Sequence, residues 1–329
     1  MYKLNIKDKK ILAELDLDAR QSNSEIGKKV RLSKEVVKYR IDNLIDAGVI
    51  LRFHTVINYF KLGIAKYKLY LQLKNVDKEK QEEIGGYLNA NHNAEWVATC
   101  TGKWDLIAGF LVTNINELDD NILEFTSKYH MHIQDRTITT TLYLVHHLRE
   151  YLQSSQKDVM RNVVYHTAMD SQVEIDEIDR ELLKLLANNA RMPVTEIAQK
   201  LKTTTRIVQY RMQQLEKKQI ILAYKCHLDT KALGKIFCKA IFRMSNITKK
   251  RLREFISYSS SIKEAVWPQR VIGNWDFELD LEMENYEKFQ EVISEIKANF
   301  SDIIIESDFA IVSKEYKLDL FPNAYPQLK

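Results

Sequence analysis

The chain repeats itself once, at a spacing of 171 residues and with no net insertion or deletion. Asp8, Leu12, Ala19, Arg20, Ile26, Tyr39, Arg40, Leu44 and Gly63 fall on Asp179, Leu183, Ala190, Arg191, Ile197, Tyr210, Arg211, Leu215 and Gly234. Trp96, Gly102, Trp104 and Asp105 fall on Trp267, Gly273, Trp275 and Asp276 under the same shift. So long a period is not that of a solenoid, because each unit is large enough to be a folded protomer. The sequence therefore describes one ancestral unit of roughly 150 residues, a normal domain-scale length, joined covalently to its own copy.

Each unit divides again by charge. Residues 1–52 carry 12 Lys/Arg against 8 Asp/Glu, and residues 175–225 carry 10 against 6. Residues 64–143 carry 8 against 11, and residues 235–313 carry 11 against 13. A basic opening segment beside an acidic remainder, found twice, points to a polyanion partner for the opening segment alone.

The opening segment reads as three helices. Ile11, Leu12 and Leu15 have helical spacing behind a candidate N-cap, Asp8. A second short helix follows over Ser24 to Val30, then a turn at Arg31-Leu32. Ser33 caps a third helix reaching Ala47, with Val36, Val37, Ile41 and Leu44 inward and Gly48 as its stop. Copy two gives Asp179 to Asn188, Thr195 to Leu201, and a Thr204-capped helix to Lys218 with Ile207, Val208, Met212 and Leu215 inward. This is the helix-turn-helix pattern. A recognition helix enters the major groove N-terminus first, which places Lys34, Glu35, Lys38 and Tyr39, and Thr205, Arg206, Gln209 and Tyr210, toward base edges. Ser33 and Thr204 open those helices. Arg31, Arg40, Lys202 and Arg211 stand where phosphates would pass. All these positions also fit a solvated helix face.

The remainder of each unit reads strand, helix, strand, turn, strand, helix, strand. In copy one the strands are Ile64 to Lys74, Trp96 to Thr101, Asp105 to Val112 and Ile133 to Val145, with helices at Lys78 to Ala90 and Ile115 to Tyr129. In copy two the strands are 235–245, 264–271, 276–283 and 303–313, with helices at 248–259 and 286–299. That is the ferredoxin-like βαββαβ order, and the fold class is α+β. Apolar residues occupy both alternation phases of the first strand (Leu69, Leu71 and Leu73 against Tyr67 and Tyr70), so the helix-free face should pack on another sheet, that of the second copy.

The order helix-turn-helix, linking strand, βαββαβ resembles the leucine-responsive and asparagine-responsive (Lrp/AsnC) regulators, over almost the whole chain, twice. Asp8…Ile11-Leu12…Ala19-Arg20, Leu32-Ser33, Arg40-Ile41…Leu44…Gly48-Val49-Ile50, Leu62-Gly63 and Gly102-Lys103-Trp104-Asp105 carry the resemblance, with their copies. It implies double-stranded DNA as partner, self-association through the sheet domains and an amino-acid-like effector. It places effector contacts at the turn between the middle strands: Gly102 and Asp105, Gly273 and Asp276. The same Gly-x-Trp-Asp turns also read as plain hairpins with an aromatic staple. Copy two departs near the end of the last strand, where Arg136-Thr137 and Thr140-Thr141 become Ser307-Asp308 and Ile311-Val312.

The implied organisation is a helix-turn-helix domain at 1–52, a sheet domain at 53–146, a linker at 147–174, the second pair at 175–224 and 225–314, and a tail at 315–329. Leu152, Val159, Val163 and Val164 leave the linker open between a docked helix and a loose tether. The tail, with Pro322 and Pro326, is expected to be extended. Cys100, Cys226 and Cys238 lack zinc or disulfide spacing and fit a reducing cytoplasm. No secretory signal, membrane span, metal or cofactor is expected. Sirohaem decarboxylases resemble the same architecture, but they need clustered His and Arg. Asn93 to Cys100 and Trp267-Pro268-Gln269-Arg270 do not supply that cluster, and beyond His146-His147 most of the eight histidines are scattered along the chain. The sequence therefore favours a regulator over an enzyme.

Overall fold

Asn5, not Asp8, opens the first helix. In the structure, a computed structural model that describes residues 3–152, 164–167 and 172–321, the Asn5 side chain accepts from the N–H groups of Lys7 and Asp8. The Asp8 carboxylate accepts from the Asn5 N–H in return. Asp8 is thus the far member of a capping box. The elements of copy one are α1 (Ile6–Leu17), α2 (Asn23–Val30), α3 (Lys34–Asp46), β1 (Ile50–Ile57), β2 (Ala65–Leu73), α4 (Lys78–Ala90), β3 (Ala94–Gly102), β4 (Leu106–Val112), α5 (Ile115–Tyr129) and β5 (Ile133–His146). A short strand, β6 (Val164–Thr167), pairs with β5 inside the segment read as a linker. Copy two gives α6 (Glu177–Ala187), α7 (Val194–Lys200), α8 (Thr205–Lys217), β7 (Ile221–Leu228), β8 (Ile236–Met244), α9 (Lys249–Ser261), β9 (Ala265–Ile272), β10 (Phe277–Met283), α10 (Tyr286–Asn299) and β11 (Ile304–Leu318). β11 runs further than the sequence suggested because Lys317 and Leu318, assigned to the tail, pair with Val97 and Trp96.

Each copy arranges its four sheet strands in the ferredoxin order, β5-β2-β4-β3 and β11-β8-β10-β9. The last strand of each copy then pairs with a middle strand of the other, β11 with β3 and β5 with β9. With β2 also paired to β5, eight of the nine strands close into a ring and β6 lies outside it. The sheet–sheet packing expected from both-phase apolarity is therefore a closed antiparallel barrel, which leaves no free edge among those eight strands. Leu69, Leu71, Phe110 and Phe125 form the core under α4 and α5, and Phe242, Phe255, Phe277 and Phe289 that under α9 and α10. One end of the barrel interior is filled by Tyr70, Trp104, Trp275, Ile107, Ile241 and Val271. Tyr70 and Trp275 meet edge to face at 4.7 Å between ring centroids.

Outside the barrel, β1 and β7 form a two-stranded antiparallel ribbon. Its register pairs His54 with Lys225, its own counterpart 171 residues on, so the axis relating the copies passes between them. Helix α1 packs on β7 and α6 on β1, so each helical domain leans on the other copy's strand. Reciprocal arginines fasten them. Arg20 Nη1 donates to the carbonyl of Ala190 at 2.5 Å, and Arg191 Nη1 to that of Ala19 at 2.6 Å. Their guanidinium groups lie over Tyr224 and Phe53.

The barrel seams explain two glycines. A Cβ on Gly102 would lie 2.5 Å from the Phe309 carbonyl oxygen, and one on Gly273 would lie 2.8 Å from that of Ile138, with φ of +123° and +157°. Replacing either with Ala should destabilise the chain by about 1–3 kcal/mol. Urea denaturation checks this, and unchanged midpoints for both would contradict the close approach of strands at the seams.

Candidate nucleic-acid interface and central cavity

In both copies the short second helix leads through a left-handed residue into a capped third helix. Arg31 and Lys202 occupy that turn at φ of 59° and 51°, and the side chains of Ser33 and Thr204 accept from the N–H of Val36 and Ile207. Lys34, Glu35, Lys38 and Tyr39 are exposed on α3, as are Thr205, Arg206, Gln209 and Tyr210 on α8. The two tyrosines are 67% and 61% exposed. Val36 and Ile207, expected inward, are 38% and 42% exposed and join the same faces. Both are one position ahead of the buried Val37 and Val208, too far around a 100° per residue helix to share the core. An exposed β-branched residue at the same place in both copies is what a thymine methyl group would contact.

Arg40 and Arg211, expected at the phosphates, are each paired with acidic residues at the start of the first helix of their copy. Arg40 Nη1 bonds the fully buried Asp8 carboxylate at 2.7 Å, and Arg211 Nη1 bonds Asp179 at 2.8 Å and Asp176 at 2.7 Å. They brace the third helix against the first, so phosphate contact is not their first duty. Lys38 pairs with Asp42 along the exposed side of α3 at 2.6 Å, a loose i,i+4 pair that leaves the ammonium available.

The turns expected to carry effector contacts make hydrogen bonds within the protein. Asp105 Oδ2 accepts from the Leu73 N–H at 2.7 Å, and Asp276 Oδ2 from the Met244 N–H at 2.7 Å. Asp276 Oδ1 also holds Arg270. Trp104 and Trp275 are buried in the barrel, and none of Gly102, Asp105, Gly273 and Asp276 lines the central cavity. Each of these carboxylates accepts a backbone N–H through Oδ2.

The cavity, of about 130 Å³, lies between the ribbon and the open end of the barrel. His54 and His227 come from the ribbon, His146 and His147 from the end of β5 and beyond it, and Trp96 and Trp267 from β3 and β9. Four of the eight histidines thus meet here, although they are scattered along the sequence. Their convergence depends on pairing β1 with β7 and β5 with β9, which no local spacing reveals. Among the described residues no group of three or more His, Cys, Asp or Glu is placed to hold a metal ion.

Behind the cavity runs a buried ionic network. β10 turns Glu278, Asp280 and Glu282 inward, all nearly without exposure. Lys68 bonds Glu278, and Lys239 Nζ reaches Asp280 at 2.5 Å and Glu278 at 3.2 Å. Burial would raise the Glu278 carboxyl, but the two ammonium groups outweigh it and hold it well below the usual range. Arg149, from the segment after β5, clamps Glu282 with Nε at 2.9 Å and Asp16 of α1 with Nη1 at 2.7 Å. At the equivalent joint copy two has Ala187, Leu111 and Leu320 in an apolar cluster. The segment read as a linker is therefore docked at Arg149 and Leu152, the latter in the core of the first helical domain; Val159 and Val163 lie outside the described residues.

The residues called candidate DNA contacts sit in segments that match known families. An AsnC-type helix-turn-helix domain matches residues 175–216, and a winged helix-turn-helix DNA-binding domain matches 4–50. The HTH-type transcriptional regulator Rv2324 of Mycobacterium tuberculosis is 33% identical over 127 residues, 36% of this chain and 80% of that protein. Transcriptional regulator AzlB of Bacillus subtilis is 31% identical over 120 residues, 36% of this chain and 75% of that one. This chain belongs to the Lrp/AsnC family of transcription regulators. It is a tandem member, since each such relative is matched by little more than a third of the chain. A solved structure of the siroheme decarboxylase NirDL is similar over both copies, covering 98% of this chain and 96% of that one with a TM-score of 0.65. At 13% identity that likeness is one of fold. No helix among the described residues of this Lrp/AsnC protein is long and apolar enough to cross a membrane.

Two measurements probe the cavity wall. Arg149→Ala leaves two buried carboxylates without their guanidinium and should cost about 3–5 kcal/mol in urea denaturation; a loss under about 1 kcal/mol would remove the clamp from the account. His54 is pushed down to about 3 by burial, with Arg149, Arg52 and Lys225 adding to it. Only the unfolded imidazole then takes a proton as pH falls below about 6.5, so stability is full above that pH and lost toward 3. His227 acts in the same direction, while Glu315, raised to about 7 by burial, opposes them between about 4.5 and 7. His54→Leu should lose about 1.4 kcal/mol less per pH unit than the parent chain below pH 6.5. Parallel pH profiles would contradict it.

Proposed function

We propose that this chain regulates transcription by holding α3 and α8 against one duplex as a built-in dimer that reads two unlike half-sites. The observation that carries this is positional. The same five places of the third helix, Lys34, Glu35, Val36, Lys38 and Tyr39 in one copy and Thr205, Arg206, Ile207, Gln209 and Tyr210 in the other, are exposed behind the same cap. The buried Val37 and Leu44 recur as Val208 and Leu215, whereas four of these five positions differ, and only the tyrosine is shared. A two-fold pair of recognition helices reads half-sites one helical turn apart, about 34–36 Å, or multiples of it.

Selection from random DNA should return two unlike half-sites, and a perfect palindrome bound by a single chain would sink the asymmetric reading. Lys38→Ala and Gln209→Ala should each relax preference at a few bases of one half-site only, by about 1–3 kcal/mol for a bidentate contact. Arg211→Ala should instead lower the melting temperature through the lost brace to Asp179. Loss of DNA affinity at unchanged stability would return that arginine to the phosphate backbone.

A second reading has one observation behind it. The gathered imidazoles, Arg149 and four lysines around the cavity are residue types suited to moving protons and binding carboxylates, and the fold is shared with a siroheme decarboxylase. Against it, every ionic side chain lining the cavity already has a protein partner, and a space of about 130 Å³ is far smaller than the 300–1,000 Å³ of ordinary cofactor-sized pockets. The non-enzymatic reading is the better supported. A visible absorbance change when sirohaem is mixed with the purified chain, followed by loss of carbon dioxide, would reverse that order.

A further inference from the structure

The cavity wall carries a buried imidazole, His54, with a ring nitrogen that no described residue satisfies. His54 is 8% exposed, and its Nδ1 is buried with no hydrogen-bond partner among the described residues. A neutral imidazole presents one donor and one acceptor, and a buried ring nitrogen left unmet is unfavourable. Its neighbours do not need a ligand. Lys66 is paired with Glu95, Lys68 with Glu278 and Gln269, Lys239 with Asp280, and Arg149 with Asp16 and Glu282. Lys225 donates to the Asp16 carbonyl at 2.7 Å, and Glu315 accepts from Trp96 Nε1 at 2.8 Å.

Those facts constrain an occupant. A net charge entering this wall would find its counter-ions already committed and would carry an unmatched desolvation cost. The rest of the lining includes the apolar and aromatic faces of Val56, Trp96, Phe237 and Trp267. A volume of about 130 Å³ is close to the 150 Å³ of an engineered apolar cavity that takes benzene. Unlike that cavity, this one has an imidazole, that of His54, in its wall.

We propose that the cavity between the ribbon and the barrel binds a small, uncharged, planar heteroaromatic molecule whose edge carries a hydrogen-bonding group for the His54 ring. Single-ring and small fused-ring azoles and nucleobases are of this class. The imidazole is held neutral by its burial, as such a pairing requires. The ribbon that roofs the site also joins the two helical domains, so occupancy bears on their spacing. That consequence rests on the DNA-binding reading, whereas the binding itself does not.

Benzimidazole is a suitable probe at pH 8, where it is neutral, with benzoate as the charged control of the same size. Binding to the full chain is followed by calorimetry and by the fluorescence of Trp96 and Trp267, so neither readout involves DNA. Saturable one-to-one binding of benzimidazole, at least about tenfold tighter than benzoate, is the expected result. His54→Phe should weaken it by about tenfold or more. Val56→Phe, which fills the space from the ribbon without altering a polar group, should abolish it, and unchanged melting temperatures certify both folds. No saturation up to millimolar probe would overturn the proposal and leave water as the occupant. Benzoate binding as tightly as benzimidazole would overturn the neutral class, and equal affinity in folded His54→Phe would remove His54 from the site.

Discussion

The pairing of β1 with β7 is the contact on which the rest of the molecule depends. Its register sets His54 opposite Lys225, and that single choice fixes the axis between copies. Once the ribbon is in register, α1 lies on β7 and α6 on β1. Arg20 and Arg191 can then reach across to the carbonyl groups of Ala190 and Ala19. A slip of one residue would turn every ribbon side chain to the opposite face. It would take His54 and His227 out of the cavity and Cys226 out of the first helical core together.

The barrel is the second consequence of duplication, and it sets how the halves differ. Strand exchange, β11 onto β3 and β5 onto β9, places the inner faces of both sheets around one interior. At one end that interior is filled by rings from both copies, Trp104 and Trp275 about Tyr70. At the other it is ionic, and there the copies part. Glu278, Asp280 and Glu282 on β10 stand where β4 has Ile107, Gly109 and Leu111. The first helical domain is fastened through Asp16, Arg149 and Glu282, and the second through Ala187, Leu111 and Leu320. An ionic joint demands fixed geometry from three side chains, while an apolar joint tolerates adjustment.

Much of this was legible in the sequence because it is local. Caps, helical periodicity and the turn at Gly102 to Asp105 are short-range signals, and the repeat doubles each of them. Apolar residues in both phases of β2 even announced a second sheet. Where local signals misled, the cause was still geometric. Asp8 looked like a cap because only the backbone shows that Asn5 precedes it in a capping box. Val36 was counted into the core because helical spacing admits either it or Val37. Arg40 looked free because Asp8, its partner, is 32 residues away. The cavity was illegible altogether: His54, His146, His147 and His227 share no helix face or strand, and only the ribbon and the β5–β9 seam bring them together.

The charge asymmetry also explains why the two copies need each other within one chain. In a homodimer of copy two, Glu278, Asp280 and Glu282 would each occur twice inside one barrel, with only Lys239 repeated to meet them, because Phe237 stands where copy one has Lys66. In a homodimer of copy one, Lys66 and Lys68 would each occur twice, opposed only by Glu95, because β4 carries no inward carboxylate. Buried charges without partners are among the strongest destabilising terms available to a fold. Across the two copies the charges are matched instead, through Lys68 on Glu278 and Arg149 on Glu282. Covalent fusion supplies the unlike partner at high effective concentration. With unlike halves in one chain, α3 and α8 are free to carry different exposed residues behind the same cap, because no symmetric dimer of either helix has to form.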